Sequence, residues 1–434
     1  MSHSPQIISF WRNGQTIPRY GFATRLVATF ILALLVVSAL PTNPHIGSAV
    51  AKSGPVSRDQ AGPAAKEGGG NQASKSYSGK LVGGHYLMLV NTAIASKLYG
   101  GQVAQFDRSY YDGLAVTFSF NYDTSAPVSP SEIDSKISYW QTITKKDIWP
   151  WVFINRILGV DDSQKNPYTT GPYFHRIQGA DLEDTAGALK DFLKVWESSL
   201  RAARDSRVPG IVVDLEFYNY YKEYDLAELA RLSGKKPQEA INLLEKIGGQ
   251  MADIAAEQYP DATLWFLFTG LGNPPKPSAD HQQYLLSSSY VALGLLDEIK
   301  KQHFRLKVIS GGEVGLGYCH PSLAQFQQQI QDRAASFVPY LQRYTGILEL
   351  GGTMTVWKDP ASKSDWLKQP DCGPSPSATV EDLQPYLELL LRSYRYNWIY
   401  CGGDGYDAFQ ADSASRFDAM IARAEANVLG TTVH

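Results

Sequence analysis

Short apolar runs alternate with longer amphipathic stretches along most of the chain. Each run is rich in Val, Ile, Phe or Trp, which is typical of strands covered on both faces. Between the runs, stretches such as "TAGALKDFLKVWESSLRAAR" repeat large apolar residues at three- and four-residue spacing, which predicts amphipathic helices. We count eight apolar runs, at residues 85–90, 113–120, 148–154, 210–217, 263–269, 306–310, 346–350 and 397–401.

This alternation predicts parallel βα units, and eight units are the number that closes a (β/α)8 barrel. An open doubly wound sheet is the alternative fold. Such a sheet would usually carry a Gly-rich phosphate turn after its first strand, where this chain has "NTAIASK". The later "GGDGYD" is Gly-rich but has no Lys or helix-opening pattern that would hold a phosphate. We therefore predict an α/β fold, a TIM barrel that forms one domain over residues 80–434.

The amino-terminal segment has a different character. Three arginines precede the apolar run "LVATFILALLVVSAL" (26–40), which is typical of a signal peptide and short for a membrane span. Small residues follow at 49–51, so residues 1–51 are predicted to be a signal peptide, with an uncleaved membrane anchor as the alternative. Residues 52–79 are mostly Gly, Ala, Ser, Lys and Pro, which predicts a disordered linker. We expect a secreted or periplasmic protein, attached to a membrane only if residues 26–40 are retained.

Composition narrows the classes of partner. The 434 residues include 40 basic and 43 acidic side chains, a net charge of −3, whereas nucleic-acid binders normally show a basic excess. The three cysteines allow one disulfide and a free thiol in an exported protein, or three buried thiols. The eight histidines form no His-x-His or HExxH motif, and no G-x-S-x-G occurs. We expect no nucleic acid, no cofactor and no metal, and a metal-dependent hydrolase or deacetylase is a less favoured alternative.

The fourth apolar run, "GIVVDLEFYNYY", begins as a buried strand and ends with two carboxylates and several tyrosines. Because side chains alternate along a strand, Asp214, Glu216 and Tyr218 share one face. In a barrel this face points into the mouth at the carboxyl end of the strands, where reactive groups lie. Buried carboxylates are costly unless they are paired or protonated. The structural alternative is therefore an ion pair with Arg156 at the end of the third run.

Polar and aromatic side chains also follow the other runs, so we expect them to converge on one barrel mouth. Aromatic rings offer an apolar face with a polar edge, which suits a sugar ring. The predicted partner is therefore a carbohydrate, either an oligosaccharide or a polysaccharide. The residues predicted to bind it are Asn121, Asn155, Arg156, Tyr218, Tyr318, Trp357 and Asp404.

The architecture resembles that of the (β/α)8 glycoside hydrolases, and one short motif adds to the likeness. The sequence "GIVVDLEFY" resembles the fourth-strand motif of chitinase-like glycosidases, which ends Asp-x-Glu followed by an aromatic residue. Asp214 and Glu216 match the last two acidic positions of that motif. Pro209 and Val212 stand at its first two acidic positions.

The large retaining clan of barrel glycosidases offers a second resemblance, over residues 80–430. That clan places an acid/base Glu on strand four and a nucleophilic Glu on strand seven, which here would be Glu216 and Glu349. Leu215 stands where the clan has an Asn before its acid/base Glu. The resemblance implies the superfamily and no specific family within it.

Glycosidic cleavage needs one acid to protonate the leaving oxygen and one carboxylate to support or attack the anomeric carbon. We predict Glu216 as the general acid, with its pKa raised by nearby Asp214 and by partial burial. The counterpart is predicted to be Glu349, followed by Glu313 and then Asp404. A catalytically inactive, sugar-binding barrel is the alternative outside the enzymes, and the substituted motif positions favour it.

Overall fold

The computed structural model contains a closed barrel of eight parallel strands, which confirms the predicted TIM-barrel fold class. Each barrel strand pairs only with parallel neighbours, and the last strand in the chain closes the sheet against the first. The predicted signal peptide and linker lie outside the residues described, so both remain predictions. The structure describes residues 85–90, 106–107, 109–117, 130–153, 188–215, 225–277, 282–316, 322–356, 380–401 and 411–430.

Ten strands occur in the described part of the chain, eight of them in the barrel. The barrel order is β1, β2, β3, β4, β5, β8, β9 and β10, and a small antiparallel hairpin of β6 and β7 follows β5. The strands are β1 Tyr86–Val90, β2 Gly113–Thr117, β3 Asp147–Phe153, β4 Gly210–Asp214, β5 Thr263–Phe268, β6 Lys276–Pro277, β7 Gln283–Tyr284, β8 Lys307–Ser310, β9 Leu348–Val356 and β10 Tyr396–Cys401.

Helices alternate with these strands, as the amphipathic stretches predict. Two begin with capping boxes, at Lys236 and Ser322, in which a side chain at the third helical position bonds back to the cap. Among the described residues the helices are α1 Pro130–Ile143, α2 Ala188–Asp205, α3 Leu226–Leu232, α4 Pro237–Gln258, α5 Ser287–Gln302, α6 Glu313–Leu316, α7 Leu323–Arg343, α8 Val380–Ser393 and α9 Ala411–Leu429. None of these helices is long and apolar enough to cross a membrane.

The seventh barrel strand differs from its prediction. The apolar run at 346–350 was expected to be the whole strand, but β9 extends to Val356 through a Gly-Gly pair. That pair looks like a strand terminator, yet it allows close packing. A Cβ on Gly352 would lie 2.6 Å from the Tyr394 ring, and one on Gly351 would lie 3.0 Å from Ile309. Glycine within a strand here marks close approach rather than a turn.

Four aromatic rings fill the amino-terminal half of the barrel. Tyr86 on β1 lies 5.9 Å from Trp265 on β5, although the two strands are not neighbours, so these rings must meet inside the barrel. Trp149 and Tyr396 complete the layer, with ring centroids 5.8 and 5.5 Å from that of Trp265. These contacts are edge-on, the arrangement that favours aromatic pairs. We call these four residues the aromatic layer.

Hydrogen bonds and a glycine hold the aromatic layer in place. The Trp149 indole donates to the Tyr86 hydroxyl at 2.7 Å, and this hydroxyl donates to Asp147 at 2.9 Å. Burial, and next the charge of Asp147, raise the pKa of Tyr86 well above its usual range. A side chain on Gly113 would contact both Tyr86 and Trp149, so β2 leaves the space that the rings need.

Truncation of the central ring tests how much this layer contributes to stability. Trp265→Ala should lower the free energy of unfolding by about 3–5 kcal/mol, because a fully buried ring is replaced by a cavity. Chemical denaturation followed by circular dichroism measures the change. Tyr139→Ala removes a half-exposed ring of α1 and is the matched control, with an expected change below about 1 kcal/mol. Equal losses in the two variants would contradict a central role for the layer.

Candidate active site

Asp214 lies inside the barrel at the carboxyl end of β4. Val212 pairs in register with Trp265, whose ring is inside the barrel, and Asp214 is two residues further along on the same face. The Asp214 side chain is 1% exposed. Because removing a carboxylate from water is unfavourable even when it is paired, the fold keeps Asp214 at this position at a cost in free energy.

Glu313 lies at the same end of the barrel, on the turn that follows β8. The indole of Trp398 donates to the carbonyl oxygen of Gly311 at 2.7 Å, and Gly311 donates its N–H to the carbonyl oxygen of Phe266 at 2.6 Å. These bonds fix the turn over the barrel interior, and Glu313 follows as the first residue of α6 with 7% exposure. One buried carboxyl group therefore ends the fourth strand of the barrel, β4, and another follows the sixth, β8.

Gly312, between Gly311 and Glu313, has a φ of +91°, a backbone conformation that residues with a side chain rarely adopt. A Cβ at this position would also lie 2.8 Å from the carbonyl oxygen of Gly351. The turn that carries Glu313 therefore requires glycine for both backbone conformation and space.

Hydroxyl groups lie at or near the carboxyl ends of β5, β8 and β9. The Thr269 and Ser310 hydroxyls are 3.2 Å apart and buried. Thr353 and Thr355 share the inward face of β9 and pair in register with Trp398 and Tyr400 of β10. Both threonines are 1% exposed, and the Thr353 hydroxyl has no hydrogen-bond partner among the described residues.

Sequence reasoning missed the two β9 threonines because it ended the strand at residue 350. The signal was present in "TMTV", where polar and apolar residues alternate with the period of a strand. It was obscured by the preceding Gly-Gly pair.

A buried arginine secures the point at which β8 and β9 separate. Arg333 of α7 is 4% exposed and donates to the carbonyl oxygens of Ser310, at 2.7 Å, and Gly351, at 2.9 Å. Its guanidinium lies 5.2 Å from the centroid of Phe337 and 5.3 Å from that of Tyr394. Burial, opposed by an interaction with Tyr394, lowers the pKa of Arg333. Arg333 thus anchors the base of the turn that leads to Glu313.

The predicted placement of Glu349 at the barrel mouth is wrong. Glu349 is the second residue of β9 and is exposed, at the amino-terminal end of the barrel. It pairs in register with Ile309. Burial is the main cause that raises the pKa of Tyr396 in the aromatic layer, and the charge of Glu349 adds to that rise. The error follows from the strand boundary, because β9 continues for seven residues beyond Glu349.

The remaining predicted residues lie outside the described part of the chain. Leu215, which comes directly after strand β4, is fully buried and is the last described residue before Glu216. The alternative ion pair between Glu216 and Arg156 is untested for the same reason. Within the described ranges, no group of three or more His, Cys, Asp or Glu side chains is placed to hold a metal ion. The other residues outside these ranges are Asn121, Asn155, Arg156, Tyr218, Tyr318, Trp357 and Asp404.

Comparisons with known proteins find no matching family model and no matching curated protein. Solved structures that are similar to this chain include a Prevotella bryantii endo-beta-mannanase/endo-beta-glucanase, with 10% identity and a TM-score of 0.44. That match covers 80% of this chain and 49% of the Prevotella chain, so this protein spans about half the length of that relative.

Two further matches have the same low level of similarity. The catalytic domain of a Paenibacillus polymyxa beta-amylase is 9% identical with a TM-score of 0.42, over 78% of this chain and 98% of that one. A sugar phosphate isomerase/epimerase from Parabacteroides distasonis is 9% identical with a TM-score of 0.35, over 78% of this chain and 96% of that one. The similar structures therefore include glycoside hydrolases and support no specific family. The site has to be argued from its own residues.

Replacement of the buried arginine tests its anchoring role. Arg333→Met should lower the free energy of unfolding by about 2–3 kcal/mol, because two buried carbonyl groups lose a charged donor. Thermal and chemical denaturation measure the loss. Arg305→Met is the matched control, since Arg305 pairs with Asp261 where both side chains are exposed, and this change should leave the midpoint unaltered. An unchanged midpoint in Arg333→Met would exclude the anchoring role.

Proposed function

We propose that this protein is an exported glycoside hydrolase-like enzyme that cleaves a glycosidic bond at the carboxyl end of its barrel. The observation that carries this proposal is the burial of two carboxyl groups, Asp214 and Glu313, at the ends of strands β4 and β8. Such groups are expensive to bury, and the carboxyl end of a barrel is where its chemistry takes place. Paired carboxylates are what glycosidic hydrolysis requires.

Within this proposal Glu216 is the general acid, two residues beyond Asp214. A charged Asp214 beside it favours the protonated form of Glu216, which is the form that can donate to the leaving oxygen. Glu313 becomes the leading counterpart, because it lies at the barrel mouth whereas Glu349 lies at the opposite end. Asp404 follows it as the next candidate. The counterpart carboxylate either attacks the anomeric carbon or activates a water molecule.

The substrate is proposed to be an oligosaccharide or polysaccharide. Its hydroxyl groups would contact Asn121, Asn155 and Arg156, which follow strands two and three, and the β9 threonines, whose hydroxyls face the barrel interior. Aromatic rings after the strands would stack on the apolar faces of the sugar. The proposed aromatic and remaining polar contacts are Tyr218, Tyr318, Trp357 and Asp404.

A sugar-binding barrel without catalysis is the second candidate. The motif departures at Pro209, Val212 and Leu215 favour it, since those positions carry acidic or amide side chains in the enzymes that the motif resembles. The two candidates share a ligand but differ in turnover, so binding and hydrolysis have to be measured separately.

Hydrolysis of a panel of plant and microbial polysaccharides, followed by release of reducing ends, tests the proposal. On an active substrate, Glu216→Gln and Glu313→Gln should each lower kcat by about a hundredfold or more, because a carboxamide neither donates the catalytic proton nor supplies the negative charge. Isothermal titration calorimetry on the same substrate should show binding retained.

Glu349→Gln is the matched control, with the same chemical change at the other end of the barrel. It should keep wild-type kcat. Loss of activity in Glu349→Gln together with full activity in Glu313→Gln would overturn the assignment of the counterpart. Sugar binding with no hydrolysis across the panel would favour the non-catalytic barrel.

A further inference from the structure

Half-buried charged groups gather at the amino-terminal end of the barrel, beneath the aromatic layer and away from the proposed site. Asp112 and Lys146 come directly before β2 and β3. Asp418 and Glu425 lie two turns apart on α9, so they share one side of that helix. We call Asp112, Lys146, Asp418 and Glu425 the clasp, because they join the last helix to the barrel.

Hydrogen bonds connect the clasp to the ends of the strands. Asp112 accepts from the backbone N–H of Leu87 in β1 at 2.7 Å. Lys146 donates to the carbonyl oxygen of Ser109 at 2.8 Å, in the segment that leads into β2. The backbone N–H of Tyr110, in the same segment, donates to Asp418 at 3.4 Å. The carboxyl group of α9 and the ammonium group before β3 therefore bind one short segment from two sides.

Apolar contacts hold α9 against the same strands. Phe417, Ile421 and Ala424 are fully buried in a cluster that includes Leu87 and Leu114 of β1 and β2. The carboxyl groups of α9 lie beside this apolar stripe and are half-buried with it. They cannot become fully hydrated without some separation of the helix from the strands.

Charge at the clasp is unbalanced. Among the described residues, five carboxyl groups interact electrostatically with the single ammonium group of Lys146 or with one another, and burial lowers the pKa of that lysine. One partly buried cation carries less charge than five ionised carboxyl groups, so proton binding reduces the repulsion among them. Among the described residues, the titratable groups that interact with the clasp are Tyr86, Asp107 and Asp147.

We propose that the contact between α9 and the amino-terminal end of the barrel responds to pH through the clasp. This contact is closed in mildly acidic solution and loosens above neutral pH. In the closed form the carboxyl groups are protonated and α9 packs against β1 and β2. Ionisation places several negative charges in a half-buried contact with one cation, and α9 separates locally from the barrel.

The direction of the pH dependence follows from the carboxyl groups. Burial is the largest cause that raises the pKa of Asp112 and of Asp418 to about 6, and that of Glu425 to about 7. The folded protein therefore holds these protons more tightly than the unfolded chain. The stabilisation is complete below the unfolded pKa, near 4, and is lost as the pH rises through about 6–7. Tyr86, which lies next to the clasp in the aromatic layer, has a pKa well above this range and does not contribute to the change.

Hydrogen exchange of the full chain, measured by mass spectrometry at about pH 5.5 and about pH 8, tests the clasp. After correction for intrinsic exchange rates, amides of α9 should lose about tenfold or more in protection between the two pH values. Amides of α4, on another side of the barrel, serve as the internal reference and should change by no more than about twofold.

Asp112→Asn combined with Glu425→Gln fixes both groups in a neutral form, and the carboxamide introduced at position 112 still offers an acceptor to the N–H of Leu87. This double variant should reduce the pH-dependent loss in α9 to about threefold or less. Glu257→Gln changes an exposed position near the end of α4 and is the control. In this variant α9 should lose as much hydrogen-exchange protection between the two pH values as it does in the wild type.

The proposal is overturned if hydrogen-exchange protection of α9 in the wild type is the same at both pH values. It is also overturned if the double variant loses as much protection of α9 as the wild type does. An equal loss in α4 also overturns it, because the change would then be global. If the double variant does not fold, Glu425→Gln alone is compared with the wild type, and an undiminished loss in that variant has the same consequence.

Discussion

The aromatic layer is the constraint on which the rest of the structure depends. A closed barrel of eight strands has an interior that must be filled, and here Tyr86, Trp149, Trp265 and Tyr396 fill its amino-terminal half from four different strands. Because these rings are packed against each other, no ligand can pass through the barrel. The barrel therefore has two separate ends, and a polar group has different neighbours and a different role according to the end at which it lies.

The two ends treat buried charge differently. At the amino-terminal end, the three carboxyl groups of the clasp are half-buried and share a lysine, and two of them, Asp112 and Asp418, accept backbone hydrogen bonds. At the carboxyl end, Asp214 and Glu313 are almost fully buried, and the glycine turn that carries Glu313 is held by Trp398 and Arg333. A protein keeps such costly positions where function repays the loss of stability. The difference in burial is what distinguishes the carboxyl groups of the proposed catalytic site from those of the proposed pH-dependent contact.

The periodicity of the chain was sufficient to predict the barrel, because eight buried runs alternate with amphipathic helices and few folds satisfy that pattern. Placing the site required strand boundaries, which local pattern determines poorly. The Gly-Gly pair at 351–352 reads as a turn in isolation, and only the ring of Tyr394 packed against Gly352 explains why the strand continues. Because the predicted strand ended six residues too early, Glu349 was assigned to the wrong end of the barrel, and Thr353 and Thr355 were not recognised as strand residues. The role of Arg333 was equally inaccessible, since its partners are backbone carbonyls of distant strands.

The departures from the fourth-strand motif take on a clearer meaning once burial is known. Val212 and Leu215 are apolar and fully buried in the hydrophobic core, so neither side chain can form a polar contact with a ligand. Replacing an acidic or amide residue by these apolar ones removes polar contacts from strand four but leaves Asp214 in place, and Glu216 follows in the chain. Under the proposed function, a substrate would have to obtain its positioning contacts from other strands. The inward-facing hydroxyls of β9 are suited to supply them, because they lie on a strand that follows the turn carrying Glu313 and pair in register with β10. Specificity in this barrel would then depend on strand seven more than on strand four.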